Sequence, residues 1–147
     1  MFLKLIVFVF LCALIHALLE IQIEGENGWA EKLPTKRFNN PFEKITGWTY
    51  IDGYHLFTWI LFILFFHLPF LFNLSFNFQN ELLILESIFV FFLVEDFLWF
   101  VINPKWGIKK FFTQKISWHP NKILFFPQNY WISFIIIFVL DFIRKSV

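Results

Sequence analysis

Eight ionisable side chains fall inside stretches of this sequence that are otherwise apolar, and their types could support chemistry. They are His16, Glu20, His55, His67, Glu86, Glu95, Asp96 and Asp141. A charged side chain at the middle of a membrane helix costs about 2.5–3.5 kcal/mol on insertion scales. Such residues usually face the protein interior, pair with one another or line water. We therefore expect several members of this set to meet inside the protein.

The adjacent acids Glu95 and Asp96, together with His55, are candidates for acid–base catalysis. If the second and third apolar stretches form a hairpin centred near residue 76, His55 lies within about 4–5 Å of the depth of Glu95. A buried carboxylate can exchange protons with a nearby histidine. Glu95 and Asp96 are about 100° apart around a helix, so only one of them is expected to face the bundle core. The expected substrate is lipid-like and reaches the site along the membrane leaflet.

The same region also offers ligands for a metal ion. His16 and Glu20 are four residues apart and therefore share one helix face. With His55 and Glu95 they form a candidate metal site, because imidazole and carboxylate groups suit zinc or iron. Facing helices of a bundle can hold such a ligand set. No Glu-x-x-His or His-Glu-x-x-His motif is present, so no motif selects the metal.

The hairpin centred near residue 76 also places His67 and Glu86 at the same depth, as a structural polar pair. Polar contacts between membrane helices hold them in register and contribute roughly 1 kcal/mol or less each. Three interpretations of the polar residues stay open. The first is an enzyme site, with or without a metal, and the second is an accessory membrane subunit whose His–carboxylate pairs only maintain packing. The third is proton or ion conduction by an oligomer.

Four apolar stretches are long enough to carry these residues as membrane-spanning helices, which need about 20 mostly apolar residues each. The predicted spans are residues 2–19, 55–72, 81–102 and 123–143. Hydrophobic residues make up 59% of the 147-residue chain, against about 45–50% in soluble domains. We predict an all-α fold, with residues 1–147 forming one integral membrane domain of four antiparallel helices. The first span resembles a secretory signal, but the absence of a small-x-small cleavage site favours a retained helix.

Basic residues are unequally distributed between the predicted loops. Loop 1, between the first two spans, and loop 3, between the last two, together hold nine of the 12 lysine and arginine residues. The positive-inside rule places both loops in the cytoplasm of a multi-pass protein of the cell membrane. The net charge of +1 gives no basic footprint for nucleic acid. The expected partners are the lipid bilayer, a lipid-like substrate and other membrane subunits.

Aromatic residues with polar tips lie on the same side as the basic loops. Every Trp and Tyr is in loop 1, in loop 3 or in the half of a helix nearest to them. A Trp ring prefers the headgroup level, where its body is apolar and its N–H reaches water. Loops 1 and 3 are therefore predicted to lie along the membrane surface. The predicted interfacial residues are Trp29, Trp48, Trp106, Trp118 and His119.

Three segments together resemble a known group of proteins. They are EGENGWAEKLPT, EDFLWFVINP and WHPNKILFFPQNYW, and they are similar to segments of small polytopic membrane proteins of prokaryotes to which no reaction is assigned. The resemblance covers most of the chain. It implies a stand-alone integral membrane protein, and it transfers no catalytic residue and no cofactor.

Overall fold

The structure is a computed structural model that describes residues 2–147, with side chains described from Lys4 onward. Six α-helices make up most of this part of the chain. They are α1 (Phe2–Glu24), α2 (Glu43–Thr46), α3 (Gly53–His67), α4 (Phe78–Ile102), α5 (Gly107–Thr113) and α6 (Gln128–Ser146). A 3-10 turn, Leu68–Leu71, continues α3. The prediction of an all-α class is therefore confirmed at the level of a mostly helical chain.

Two short antiparallel hairpins lie in loops 1 and 3, outside the long helices. Strand β1 (Arg37–Asn39) pairs with β2 (Tyr50–Asp52), and β3 (Lys122–Ile123) pairs with β4 (Phe126–Pro127). The two loops are tied together by the Trp48 ring N–H, which donates to the Trp118 carbonyl at 2.8 Å. Loops 1 and 3 therefore form one folded cap over one end of the long helices.

The long helices differ from the predicted spans mainly at their ends. α1 continues beyond residue 19 as far as Glu24, and Gly25 then ends it with a left-handed φ of 67°. α4 begins earlier than predicted because the Asn77 side chain caps it by accepting from the Asn80 N–H. α6 begins later than predicted, since residues 122–127 form the second hairpin.

α4 is the central helix of the bundle. α1 and α6 pack along it most extensively, and α3 packs on it less closely. Ala13 and Ala17 of α1 are fully buried, and small side chains of this kind let two helices approach closely. Phe91 and Phe100 of α4 are also fully buried and belong to two successive apolar clusters. The core is thus a column of aromatic and small side chains along α4.

The outer faces of α1 and α3 are apolar and exposed. Both helices, α3 with its 3-10 turn, are long and apolar enough to cross a membrane, and their most apolar windows are only 28% and 11% buried. A core helix of a soluble protein would be mostly buried, whereas Ile15 and Leu61 here are each 64% exposed. α4 and α6 are of similar length but each carries at least three charged side chains. Two helices of the described chain therefore qualify as membrane spans by length and composition.

The predicted pairing of His67 with Glu86 is wrong, because the turn between α3 and α4 gives the two helices a different register. His67 Nε2 lies 3.2 Å from Glu81 Oε1, so the centre of the hairpin is residue 74 instead of residue 76. The register shifts because α4 starts at the Asn77 cap, earlier than predicted. Glu86 instead accepts a hydrogen bond from Arg144 of α6 at 3.0 Å.

Candidate functional site

A cavity of about 280 Å³ lies between the four long helices, beneath the cap formed by loops 1 and 3. α1 and α4 reach it near their C-terminal ends, whereas α3 and α6 reach it near their N-terminal ends. The helices therefore alternate in direction along the chain, and ionisable residues that are distant in sequence meet at one level. The ionisable residues of its wall are His16, Glu20, Glu24, His55, Glu95, Asp96, His119 and Tyr130.

α1 contributes three ionisable side chains to the wall, at a spacing of four residues. His16, Glu20 and Glu24 share one helix face, and each is more than nine-tenths buried. Glu24 Oε1 also accepts the Ala30 N–H at 2.6 Å. The sequence placed Glu24 near this cluster but in loop 1, beyond a first helix ending at residue 19, and therefore not among the candidate ligands. Continuing the His16–Glu20 spacing by one more turn would have identified it.

His55 is held in place by Asp52, the residue that caps α3. Asp52 accepts from the His55 backbone N–H at 3.0 Å and from the ring Nδ1 at 2.6 Å. Burial raises the pKa of Asp52, but the hydrogen bonds and charge of His55 outweigh it and hold that pKa below its usual range. His55 Nε2 faces Glu20 and Glu24 at 3.8 and 3.7 Å. In metal-binding histidines, one imidazole nitrogen typically donates its N–H to a carboxylate or carbonyl while the other nitrogen binds the metal.

The contact between His16 and Glu95 joins two buried polar atoms that lack hydrogen bonds. His16 Nδ1 and Glu95 Oε1 are 3.3 Å apart. Neither atom has a hydrogen-bond partner within the part of the chain that the structure describes, and both residues are 6% exposed. A buried polar atom without a partner costs about 1–3 kcal/mol. This pair is therefore unfavourable as a purely structural contact.

Asp96 points away from Glu95 and binds a different pair of residues. It accepts a hydrogen bond from the Tyr130 hydroxyl and lies 3.2 Å from His119 Nε2. The predicted catalytic residues His55, Glu95 and Asp96 all line the cavity. However, among the described side chains no hydrogen bond or ion pair joins any two of them. The helical angle between Glu95 and Asp96 directs them to different neighbours, as the sequence indicated.

Among the described residues, the carboxylates of Glu20, Glu24 and Glu95 have no lysine or arginine partner. Within residues 4–147, their ion-pair contacts are with His16 and His55 and none is with lysine or arginine. The Tyr54 hydroxyl adds a long hydrogen bond, 3.3 Å, to Glu20. Two overlapping groups have ligand atoms within 4.8 Å of one another, namely His16 with Glu20 and Glu95, and Glu20 with Glu24 and His55. All four predicted metal ligands thus lie together, with Glu24 as a fifth.

A strained turn in loop 1 supports two of these residues. Trp29 and Ala30 have left-handed φ values of 60° and 49°, a conformation that costs side-chain-bearing residues of order 1–3 kcal/mol each. The Trp29 ring stacks on His55 with centroids 4.5 Å apart, and the Ala30 N–H binds Glu24. Gly28 precedes the turn, and a Cβ there would lie 2.5 Å from the Trp118 ring. The turn thus orients one histidine and one carboxylate of the cavity.

The predicted interfacial residues join the two loops to each other and to the helices. Besides the bond from Trp48 to Trp118, the Trp106 ring N–H donates to the Glu26 carbonyl at 3.0 Å. His119 is 5% exposed and contacts Asp96. These contacts explain why the aromatic residues concentrate at one end of the bundle. Their location at a membrane surface stays a prediction.

Comparisons with known proteins find no relative of this chain. No protein-family model, no curated protein and no solved structure matches it.

Proposed function

We propose that this chain is a multi-pass integral membrane protein that binds a divalent metal ion in its cavity and uses it on a lipid-like substrate. The observation that carries the proposal is the environment of His55 Nε2. It faces Glu20 and Glu24 at 3.8 and 3.7 Å, too far for hydrogen bonds. Such separations fit ligands of one ion, each about 2.0–2.2 Å from the metal. Asp52 accepts from Nδ1 and so keeps Nε2 unprotonated and directed at the position of the metal.

A divalent cation would also offset the negative charge of the cavity. Buried carboxylates without a cationic partner are costly, and Glu20 and Glu24 have no lysine or arginine partner among the described residues. A donor set of imidazole and carboxylate suits zinc or iron. Three protein ligands would leave a coordination position open for water or substrate, as catalytic metal sites do.

The ion would act as a Lewis acid. It would polarise a carbonyl or phosphoryl oxygen of the substrate or lower the pKa of a bound water. His55 then serves as a ligand, while Asp96 with His119 and Tyr130 on the same cavity wall is the group placed for proton transfer. This is a metal-assisted version of the acid–base site expected from the sequence.

The lipid-like substrate is inferred from the remainder of the cavity wall. Beyond the ionisable residues, the wall includes the aromatic residues Trp59, Phe89 and Phe92 together with Thr58 and Ser133. An acyl chain would lie against these rings while its polar head reaches the metal. The exposed apolar faces of α1 and α3 support a surrounding bilayer from which such a substrate would enter.

Metal analysis and lipid turnover test this proposal together. The full chain, purified in detergent and equilibrated with zinc chloride, is expected to retain zinc. His55→Ala should lose most of it, whereas the control His67→Ala should retain it, because His67 lies on the same helix outside the cavity. In vesicles of total lipid extract, the zinc-loaded protein should convert a lipid species that mass spectrometry detects, and chelation or His55→Ala should stop the conversion. Absence of bound metal contradicts the proposal, and bound metal without lipid conversion supports an accessory subunit instead.

The orientation is part of the proposal and has its own test. α1 supplies three cavity residues and packs on α4, which supports a retained first helix. In a Cys12→Ser background, Lys115→Cys in loop 3 should be protected from an impermeant maleimide in intact cells. Ser75→Cys, in the turn between α3 and α4, is the matched control and should be labelled. The reverse pattern would show that loops 1 and 3 face outward.

A further inference from the structure

We propose that the cavity holds two divalent metal ions, bridged by the carboxylate of Glu20. This inference rests on the metal site proposed above and adds a second ion to it. One ligand set is Glu20, Glu24 and His55, and the other is His16, Glu20 and Glu95. Glu20 is the residue common to both sets, and its two oxygens allow it to bind one ion on each side.

The second ligand set is supported by an observation that does not involve His55. His16 Nδ1 and Glu95 Oε1 are buried, 3.3 Å apart and without hydrogen-bond partners among the described residues. Both atoms are acceptors when the imidazole carries its proton on Nε2 and the carboxyl is ionised. Two acceptors at this separation repel each other unless a proton or a metal cation lies between them, and a metal ion accounts for the absence of a hydrogen bond here. An imidazole nitrogen and a carboxylate oxygen about 3–4 Å apart have the separation of two ligands on one transition-metal ion.

The geometry of α1 accounts for the shared ligand. His16, Glu20 and Glu24 follow one another by one helical turn, about 5–6 Å along the axis. Glu20 therefore lies midway between His16, which belongs only to the second set, and Glu24, which belongs only to the first. The partner of each outer residue comes from a different helix, Glu95 from α4 and His55 from α3. Each ion would thus be held by α1 and one further helix.

The charge of the cavity also fits two ions. Two divalent cations carry four positive charges, which the carboxylates of Glu20, Glu24 and Glu95 and one bound hydroxide would neutralise. A single ion would leave the three carboxylates with an excess negative charge in a low-dielectric interior, where unpaired charge is unfavourable. Paired ions about 3.5–4 Å apart can hold both the attacking and the leaving oxygen of a displacement reaction. Carboxyl or phosphoryl esters are therefore the substrate class to which such a centre is suited.

Manganese(II) provides a direct test because coupled and isolated ions have different electron paramagnetic resonance spectra. The full chain, freed of metal with a chelator and titrated with manganese chloride in detergent, is expected to bind two ions and to give the spectrum of an exchange-coupled pair. His16→Ala and the nearly isosteric Glu95→Gln should each bind a single ion with the six-line spectrum of isolated manganese. Glu20→Gln should lose the coupled spectrum, and the control His67→Ala should keep it. Circular dichroism establishes that each variant retains its helices.

The outcomes separate this inference from the function on which it rests. A single manganese ion in the unmodified protein, undiminished in His16→Ala and Glu95→Gln, would overturn the second site and leave the first intact. Two ions without exchange coupling would overturn the Glu20 bridge. Binding of neither manganese nor zinc would overturn both the inference and the metal-dependent function, and one zinc ion per chain without any manganese would overturn the second site alone. If His16→Ala fails to fold, Glu95→Gln and the stoichiometry of the unmodified protein still decide the question.

Discussion

Both ends of the helical bundle contain histidines and carboxylates, but the carboxylates have different partners at the two ends. At the cavity end, Glu20, Glu24 and Glu95 are buried close to one another, and their ion-pair contacts among the described residues are with histidines alone. At the other end, Glu86 of α4 binds Arg144 of α6, and Arg144 also binds Asp141. His67 and Glu81 form a further contact there, and each side chain is 28% exposed.

The difference shows that polar residues inside an apolar bundle do not by themselves mark a functional site. At the end with Arg144, the carboxylates of Glu86 and Asp141 pair with arginine and lysine and are partly open to solvent, so these ion pairs are explained as packing contacts. The cavity end has a surplus of carboxylates, a preoriented histidine and unpartnered ligand atoms. Such a set requires an added cation or protons, and this requirement separates a candidate site from a structural pair.

The largest predicted effect is stabilisation of the cavity end by metal. Zinc at 1,000 times its dissociation constant should raise the unfolding free energy of the metal-free protein by about 4 kcal/mol. Glu20→Gln should abolish the effect, whereas Arg144→Met, a change at the other end, should leave it intact. Thermal unfolding in detergent, followed by circular dichroism with and without zinc, measures both. If zinc stabilised the two variants equally, the metal would not bind selectively at the cavity end.

The second prediction concerns the support of His55. Asp52→Ala should destabilise the protein by about 2–3 kcal/mol, because it removes the α3 cap and leaves a buried imidazole nitrogen without its acceptor. Asn77→Ala is the matched control, since Asn77 caps α4 without holding a histidine, and should cost about 1 kcal/mol. Denaturant unfolding compares the two. Equal costs would mean that the contact of Asp52 with the His55 ring adds nothing.

A third prediction tests the strained turn over the cavity. Gly28→Ala should cost about 1–3 kcal/mol, because its Cβ would meet the Trp118 ring at 2.5 Å. It should also weaken zinc binding by displacing Trp29 from His55. Gly25→Ala is the control, because a Cβ there meets nothing within 4 Å and only its left-handed φ opposes the change. Zinc titrations are expected to show weaker binding in the Gly28 variant alone.

The smallest predicted effect is at the end of the bundle where Arg144 pairs with Glu86. Arg144→Met should cost about 1–2 kcal/mol, between the values for exposed and buried ion pairs. Adding Glu86→Gln should recover part of that loss, because the carboxylate left without a partner is then removed. A double-mutant cycle on unfolding free energies measures the coupling. No recovery in the double variant would show that Glu86 does not depend on Arg144.

Much of the fold and part of the candidate site follow from local sequence patterns. Long apolar stretches predicted the long helices, because such a stretch in lipid must form its backbone hydrogen bonds within itself, as a helix does. The four-residue spacing of His16 and Glu20 placed both on one face because an α-helix has 3.6 residues per turn. The same geometry predicted that Glu95 and Asp96 diverge, and the structure gives them different partners.

Other features of the site depended on where the helices begin and end, which the pattern of apolar residues does not specify. Glu24 was left outside the first helix because the apolar run stops before the helix does. Asp52 was overlooked because its role comes from the cap geometry at the start of α3, not from the apolar stretch that follows. The pair of His67 and Glu86 was predicted from a symmetric hairpin, whereas the Asn77 cap moved the register.

By itself, the sequence determined that this chain is mostly helical and that ionisable groups from separate helices would lie at similar levels, because periodicity and hydrophobicity are local properties. Only the tertiary structure decided which acid meets which base. Arg144 reaches Glu86 across 58 positions of sequence, while no lysine or arginine of the described chain pairs with Glu20. Partner choice depends on how helices pack side by side, and that packing separates the end where arginine pairs with the acids from the end where the acids lie together with histidines.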